Sequence, residues 1–281
     1  GKIYIIFNTS NIIDLLMKFS IVFSGFFFNS LVYPAVIFLI FHLIRFFVLF
    51  YFFLIHKKKI YFSFRYFSLK VIKKLFKLSI GHTAQLMSHV IKHSGVILIL
   101  GIFYSPYIIG FIATVKTLFY FLPWRFITKL NQIIYYEIAN SYAKKKFSLL
   151  RGNFYNYLKL ILLLLFVFIG ISMVAGPFIY ELWLKGKYEL SFVFLLLIIS
   201  DLSFSVIRHS IISIFVSINK NLLLGILEII LSLIVMFGFY LTLYFDYSYL
   251  VAFSVILLGS VINLIFSFKF LTFFFKKNKL K

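Results

Sequence analysis

Long apolar runs constrain the fold of this chain more than any other feature. Residues 19–55 contain a single charged side chain, Arg45, and about 20 apolar residues are enough to cross the hydrocarbon core of a bilayer. The chain is 63% hydrophobic and only 13% charged, more apolar surface than a soluble domain buries. The runs are too long, and alternate too weakly, for barrel strands of about ten residues. The sequence therefore predicts an all-α fold, a polytopic transmembrane helical bundle.

We expect about eight spans. Residues 19–55 are too long for one ordinary span, so we divide them into two near residues 33–39. The other six spans are 83–104, 107–140, 153–176, 190–216, 221–244 and 248–272. Pro106 separates the first two of these six.

The net charge of +22 is concentrated between the spans. The basic loops are 56–80, 141–152, 217–221 and 273–281, and the neutral or acidic loops are 105–106, 177–189 and 245–247. This alternation predicts six spans after residue 80, with both ends of the six-helix unit on the cytoplasmic side. The basic excess thus indicates membrane orientation, and we expect no nucleic-acid partner. Residues 56–80 include a basic amphipathic helix suited to an anionic membrane surface.

The first residue is Gly1, so we expect a fragment or a trimmed chain. No cleavable signal peptide is visible in the sequence. The chain contains no cysteine, which excludes disulfides and thiol chemistry within it.

Three histidines form a stripe in the span 83–104 and just before it. His82, His89 and His93 are seven and four residues apart, so they lie on one side of a helix, with Lys92 beside them. Such a stripe is costly in lipid, and it either faces a water-filled cavity or marks an interfacial entrance of the helix. No cysteine or acid in the segment supports a metal site, and we predict no metal.

Two of the cations in the span 107–140 are deep. Arg125 and Lys129 share a face, and Lys116 points nearly the opposite way, with Pro123 expected to bend the helix between them. Lys129 and Glu137 are expected to be solvated near the cytoplasmic end. For Lys116 and Arg125, a cavity role competes with snorkelling to the interface.

Asp201 and Arg208 lie on one face of the span 190–216, seven residues apart, with Ser205 between them. They form either an ion pair that holds helices together or a coupling site. Glu228, near the start of its span, is expected to pair with a lysine.

We find no catalytic constellation in the sequence. It contains no glycine-rich phosphate loop, no useful carboxylate pair and no nucleophile beside a base, and it has only seven acidic residues. We therefore predict no enzyme activity and no cofactor. The deep cations favour transport of an anionic substrate.

Four stretches resemble the repeat-unit flippases of the multidrug/oligosaccharidyl-lipid/polysaccharide exporter superfamily. They are SLKVIKKLFKLSIGHTAQLMSHVIKHSGVILILGIFYSPYIIGFIATVKTL, YYEIANSYAKKKFSLLR, ELWLKGKYELSFVFLLLIISDL and SINKNLLLGILEII. The resemblance covers residues 66–275, about three quarters of the chain, and rests on hydropathy plus scattered residues.

The resemblance implies a two-lobed bundle around a central cavity. Residues 1–55 would be the last two spans of the N-terminal lobe, 56–80 the linker, 81–275 the C-terminal lobe and 276–281 a basic cytoplasmic tail. About four N-terminal spans would then be missing.

The implied function is transfer of a lipid-diphosphate-linked oligosaccharide, an O-antigen (lipopolysaccharide) or capsule repeat unit, across the bacterial inner membrane by alternating access. Membrane lipids and the polysaccharide polymerase machinery would be its other partners. The implied cavity cations, which would attract the diphosphate, are Lys92, Lys116, Arg125 and Arg208. Asp201 or Glu137 would carry a coupling ion.

Two other functions remain alternatives. One is a different exporter of the same superfamily, for drugs or for peptidoglycan precursors. The other is a membrane-embedded polysaccharide polymerase, although the longest expected outer loop, 177–189, is short for that class.

Overall fold

A computed structural model describes residues 9, 12–14, 16–17, 19–21, 23–24, 32–55, 68–184 and 190–279. The chain divides into two compact units, Gly1–Ser68 and Leu69–Lys281. In the first unit, α1 spans Val32–Ile55. The second unit contains α2 (Leu69–Phe103), α3 (Pro106–Lys116), a π-helical turn (Thr117–Phe121), α4 (Leu122–Ala143), α5 (Phe147–Leu184), α6 (Phe192–Ser217), α7 (Leu222–Tyr244) and α8 (Tyr249–Lys279).

The predicted fold class is confirmed: the protein is an all-α, multi-pass membrane protein. Seven helical segments are long and apolar enough to cross a membrane, and six of them belong to the second unit. No described residue lies in a strand. The predicted span before residue 33 lies mostly outside the described residues. Residues 56–67 of the linker lie wholly outside them. The rest of the linker forms the first turns of α2, which continues into its span without a break.

Three of the turns in the second unit end a helix in the same way. Lys145, Asn219 and Asp246 have φ angles of 56°, 56° and 58°. In each case the residue's own N–H donates to the carbonyl three residues back, and the next N–H to the carbonyl five residues before it. This is the Schellman arrangement, which satisfies the last carbonyls of a helix. It lets consecutive spans turn back within a few residues.

The helix around Pro123 is interrupted one turn before that proline. Residues Thr117–Phe121 form a π turn, and the Leu122 N–H donates to the Thr117 carbonyl. Pro123 has no N–H to donate, so a regular ladder could not continue through it. The expected irregularity between Lys116 and Arg125 is therefore present as a π turn.

Helices α2 and α7 touch through their backbones. A Cβ atom added to Gly225 would lie 2.4 Å from the carbonyl oxygen of Gly81, and one added to Gly81 would lie 2.8 Å from the Leu222 backbone. Small residues of this kind let membrane helices approach closely. One turn and two turns further along α2, Ala84 and Ser88 are also buried. This contact fixes which polar side chains of α7 face α2.

The α2–α7 contact predicts that an added methyl group lowers the stability of the protein at Gly225 but not at Gly152. Gly225→Ala should lower the free energy of unfolding by about 1–3 kcal/mol, because backbone atoms would have to move. The matched control is Gly152→Ala on α5, where a Cβ meets nothing within 4 Å; there the change should be neutral or stabilising by up to about 1 kcal/mol. Thermal unfolding of both variants in the same detergent checks this, and equal melting temperatures would contradict the packing.

The loop charges predict that the turn at Lys146 lies on the cytoplasmic side of the membrane and the turn at Tyr247 on the outer side. Because the chain contains no cysteine, single cysteines at Lys146 and Tyr247 can be labelled with a membrane-impermeant maleimide in intact cells. Tyr247→Cys should react and Lys146→Cys should react only after lysis. The reverse pattern would invert the predicted topology.

Candidate polar site in the bundle interior

Charged and polar side chains of four helices meet inside the second unit, at mid-depth of its spans. Lys92 lies 13 residues, about 20 Å, from the start of its span at Ser79, and Asp201 lies nine residues, about 14 Å, from the start of α6 at Phe192. Both positions are well inside a hydrocarbon core about 30 Å thick. Ionisable residues at such depth are costly unless they face protein or water.

Lys92, Asp201 and Ser260 join α2, α6 and α8. The Lys92 Nζ donates to Asp201 Oδ1 at 2.7 Å and also contacts the Ser260 hydroxyl. The Ser260 hydroxyl in turn donates to the same carboxylate oxygen. Asp201 and Ser260 are buried and Lys92 is nearly so. An ion pair so placed has little water around it and depends on good hydrogen bonding, which Ser260 supplies.

A second ion pair joins α6 and α7. Arg208 Nη1 lies 2.7 Å from Glu228 Oε1, and both side chains are buried. Ser88 of α2 donates to the Glu228 carbonyl at 3.2 Å, and its hydroxyl also contacts that of Ser232. Asp201 and Arg208, which share a face of α6, are each ion-paired with a residue of another helix. The expected pairing of Glu228 with a lysine is wrong, because its partner is Arg208.

Aromatic rings line the space between the two ion pairs. The rings of His89 and His93 are 4.1 Å apart, and the His93 ring is 4.6 Å from that of Tyr120. Trp124 lies 5.5 Å from His89 and 5.0 Å from His209. His89 Nε2 and His93 Nδ1 are buried without a hydrogen-bond partner.

His89, His93, Tyr120 and Trp124 line a small cavity of about 30 Å³, and His209 lies behind Trp124 outside the lining. One water needs about 10–15 Å³, so the cavity has room for about two. Its lining includes His89, Lys92, His93, Trp124, Arg208 and Glu228. A sugar or a diphosphate does not fit in it in this conformation.

The other predicted site residues lie elsewhere. His82 is exposed, so the histidine stripe is split between the cavity and the surface. Glu137 is exposed, with the Asn153 amide 3.4 Å from its carboxylate. Arg125 is exposed at the centre of its span, 19 residues after Pro106 and 18 before Ala143. Lys116 is only 4% exposed, with its Nζ 5.8 Å from the centre of the Phe121 ring.

Sequence reasoning missed several residues at or beside the site. It gave Glu228 only the role of pairing with a lysine, although Glu228 is one of seven acids and lies in an apolar span. Trp124 and His209 could have been found by their polar groups, but only the tertiary structure brings them to His89. Ser260 gave no signal. Among the described residues, no group of three or more His, Asp or Glu side chains is arranged to hold a metal ion.

Comparison of the chain with protein families, with curated proteins and with solved structures found no match.

The Lys92–Asp201 pair predicts a strong effect when one partner is removed. Asp201→Asn leaves a cation inside the bundle and should lower the free energy of unfolding by about 3–5 kcal/mol. The double variant Lys92→Met, Asp201→Asn should recover most of that loss. Asp246→Asn in an exposed turn is the control and should change little. If the stability lost by the double variant equals the sum of the losses of the two single variants, Lys92→Met and Asp201→Asn, the pair is not coupled.

Proposed function

We propose that this chain belongs to a membrane transporter that moves a lipid-diphosphate-linked oligosaccharide from the inner to the outer leaflet of the bacterial cytoplasmic membrane. The observation that supports transport is the charged cluster at mid-depth of a six-span unit. Apolar residues of similar volume would hold the helices at least as well as buried ion pairs do. Ionisable groups at this depth are typical of substrate and ion pathways.

Arg125 supports an anionic substrate. Its guanidinium lies on the surface of the unit at the centre of the longest apolar span. An arginine there is costly against lipid, so this face of α4 meets water or further protein. A guanidinium binds phosphate oxygens in bidentate fashion. The resemblance to repeat-unit flippases supplies the finer proposal, that the phosphates belong to a lipid-linked O-antigen or capsule repeat unit.

The small volume of the cavity supports separate roles for the exposed face and for the buried ion pairs. A space of about 30 Å³ excludes the oligosaccharide, so the substrate path in this proposal runs along the exposed face that carries Arg125. The buried pairs then hold α2, α6, α7 and α8 together. Asp201, which has two donors in this conformation, is the candidate to change partners during the transport cycle.

A second candidate function is export of another amphiphile, such as a drug. An apolar groove of about 430 Å³ lies between the α3–α4 segment and α5, with Leu118, Phe126, Val167 and Ile171 in its wall. A groove of this size and polarity suits a hydrophobic ligand.

Complementation tests the proposed function. The complete gene is expressed in a strain that lacks its own repeat-unit flippase, and surface polysaccharide is measured at equal membrane abundance of each variant. The wild type should restore the polysaccharide. Arg125→Ala should reduce it at least tenfold, because the phosphate loses its guanidinium, and the control Lys159→Ala, an exposed cation on α5, should not.

Restoration that is indifferent to Arg125→Ala would remove this residue from the substrate path. No restoration by any form, together with raised resistance to amphiphilic drugs in the same strain, would favour the second candidate.

A further inference from the structure

Among the residues that the structure describes, the interior of the second unit holds one more positive than negative side chain. Lys92, Lys116 and Arg208 are its cations, and Asp201 and Glu228 are its carboxylates. Lys92 and Arg208 each lie 2.7 Å from a carboxylate oxygen. Among the described residues, no carboxylate lies within 4 Å of the Lys116 ammonium.

Lys116 is poorly compensated by what surrounds it. It is 4% exposed, and its ammonium lies 5.8 Å from the centre of the Phe121 ring. The charge of Asp201 also reaches Lys116, but this carboxylate is in contact with Lys92. A cation–π contact is weaker than a buried ion pair. A buried ammonium without a counter-charge is unfavourable, so a third negative charge would stabilise this region.

The Phe121 ring also contacts a residue of the cavity wall, although neither Phe121 nor Lys116 lines the cavity itself. Phe121 is 5.3 Å from His93, whose side chain lines the cavity. His93 is buried, and its Nδ1 has no hydrogen-bond partner; neither does Nε2 of His89, which also lines the cavity. A neutral imidazole donates from whichever nitrogen carries the proton, so both atoms can serve as donors. Lys92, Arg208 and Glu228 also line the cavity, and each of the two cations is paired with a carboxylate.

We propose that this cavity binds one small anion of halide size, held by the uncompensated charge of Lys116 and by the imidazole N–H groups of His89 and His93. The volume of about 30 Å³ accommodates such an ion, and it excludes a diphosphate. The bound ion brings the count of buried charges to zero. This inference goes beyond the proposed transport function and does not depend on the oligosaccharide.

Bromide quenching of Trp124, which lines the cavity, tests the proposal on the complete protein in lipid nanodiscs. Bromide is titrated in gluconate buffer, and the signal that Trp124→Phe removes is taken as that of Trp124. Quenching should saturate, and chloride, a weaker quencher, should compete with it. Lys116→Met should weaken bromide binding at least tenfold, while Lys159→Met, which removes an exposed lysine, should leave it unchanged.

Thermal unfolding gives a second readout, since a ligand bound only by the folded state stabilises that state. Chloride in place of gluconate should raise the Tm of the wild type and of Lys159→Met, and should not raise that of Lys116→Met.

Three results would overturn the proposal. They are bromide quenching without saturation in the wild type, a wild-type Tm that is indifferent to chloride, and competition by pyrophosphate but not by chloride. The first two remain informative even if Lys116→Met does not fold. Failure of the polysaccharide assay would leave the anion site standing, because neither measurement here uses the lipid-linked substrate.

Discussion

Pairing of charges away from water is the constraint on which the second unit depends. Helix α6 carries Asp201 and Arg208 on one face, and both side chains are buried. Each pairs with a different helix, Lys92 of α2 or Glu228 of α7. Removing one partner leaves the other charge uncompensated, which costs more than the pair itself gains over apolar packing. The two pairs therefore specify how α6 sits against α2 and α7, whatever they add to stability.

The choice of partners follows from backbone packing. Because Gly81 and Gly225 allow α2 and α7 to touch, Ser88 of α2 reaches the carbonyl of Glu228. The Glu228 side chain then extends toward α6, where it meets Arg208. A larger residue at either glycine would separate the helices by more than a serine hydroxyl can span. The glycine contact thus acts on the site from three residues away along α7.

The sequence was sufficient to predict the elements that depend only on nearby residues, such as the membrane-spanning helices. Apolar length and loop charge predicted the six spans of the second unit, and the structure has them. Of the three histidines in the predicted stripe, only His89 and His93 line the cavity. His82 is exposed, although its neighbours Gly81 and Ala84 are buried against α7. The partners of Asp201 and Glu228 could not be predicted, since a helical spacing of seven says which residues share a face and not which helix that face meets. Ser260 could not be predicted either, because a serine in an apolar span has a role here only through its hydrogen bond to Asp201.

The π turn sets the angle around the helix axis between Lys116 and Arg125. In a regular α-helix, nine residues separate Lys116 and Arg125 by nearly half a turn, since each residue advances about 100°. A π turn takes up about one extra residue, which reduces that separation to roughly a quarter turn. Lys116 is then directed into the core beside Phe121, while Arg125 emerges on the neighbouring face. The interruption before Pro123 therefore couples the buried cluster to the exposed face through a single helix, and a shift of the π turn along that helix would change both surfaces together.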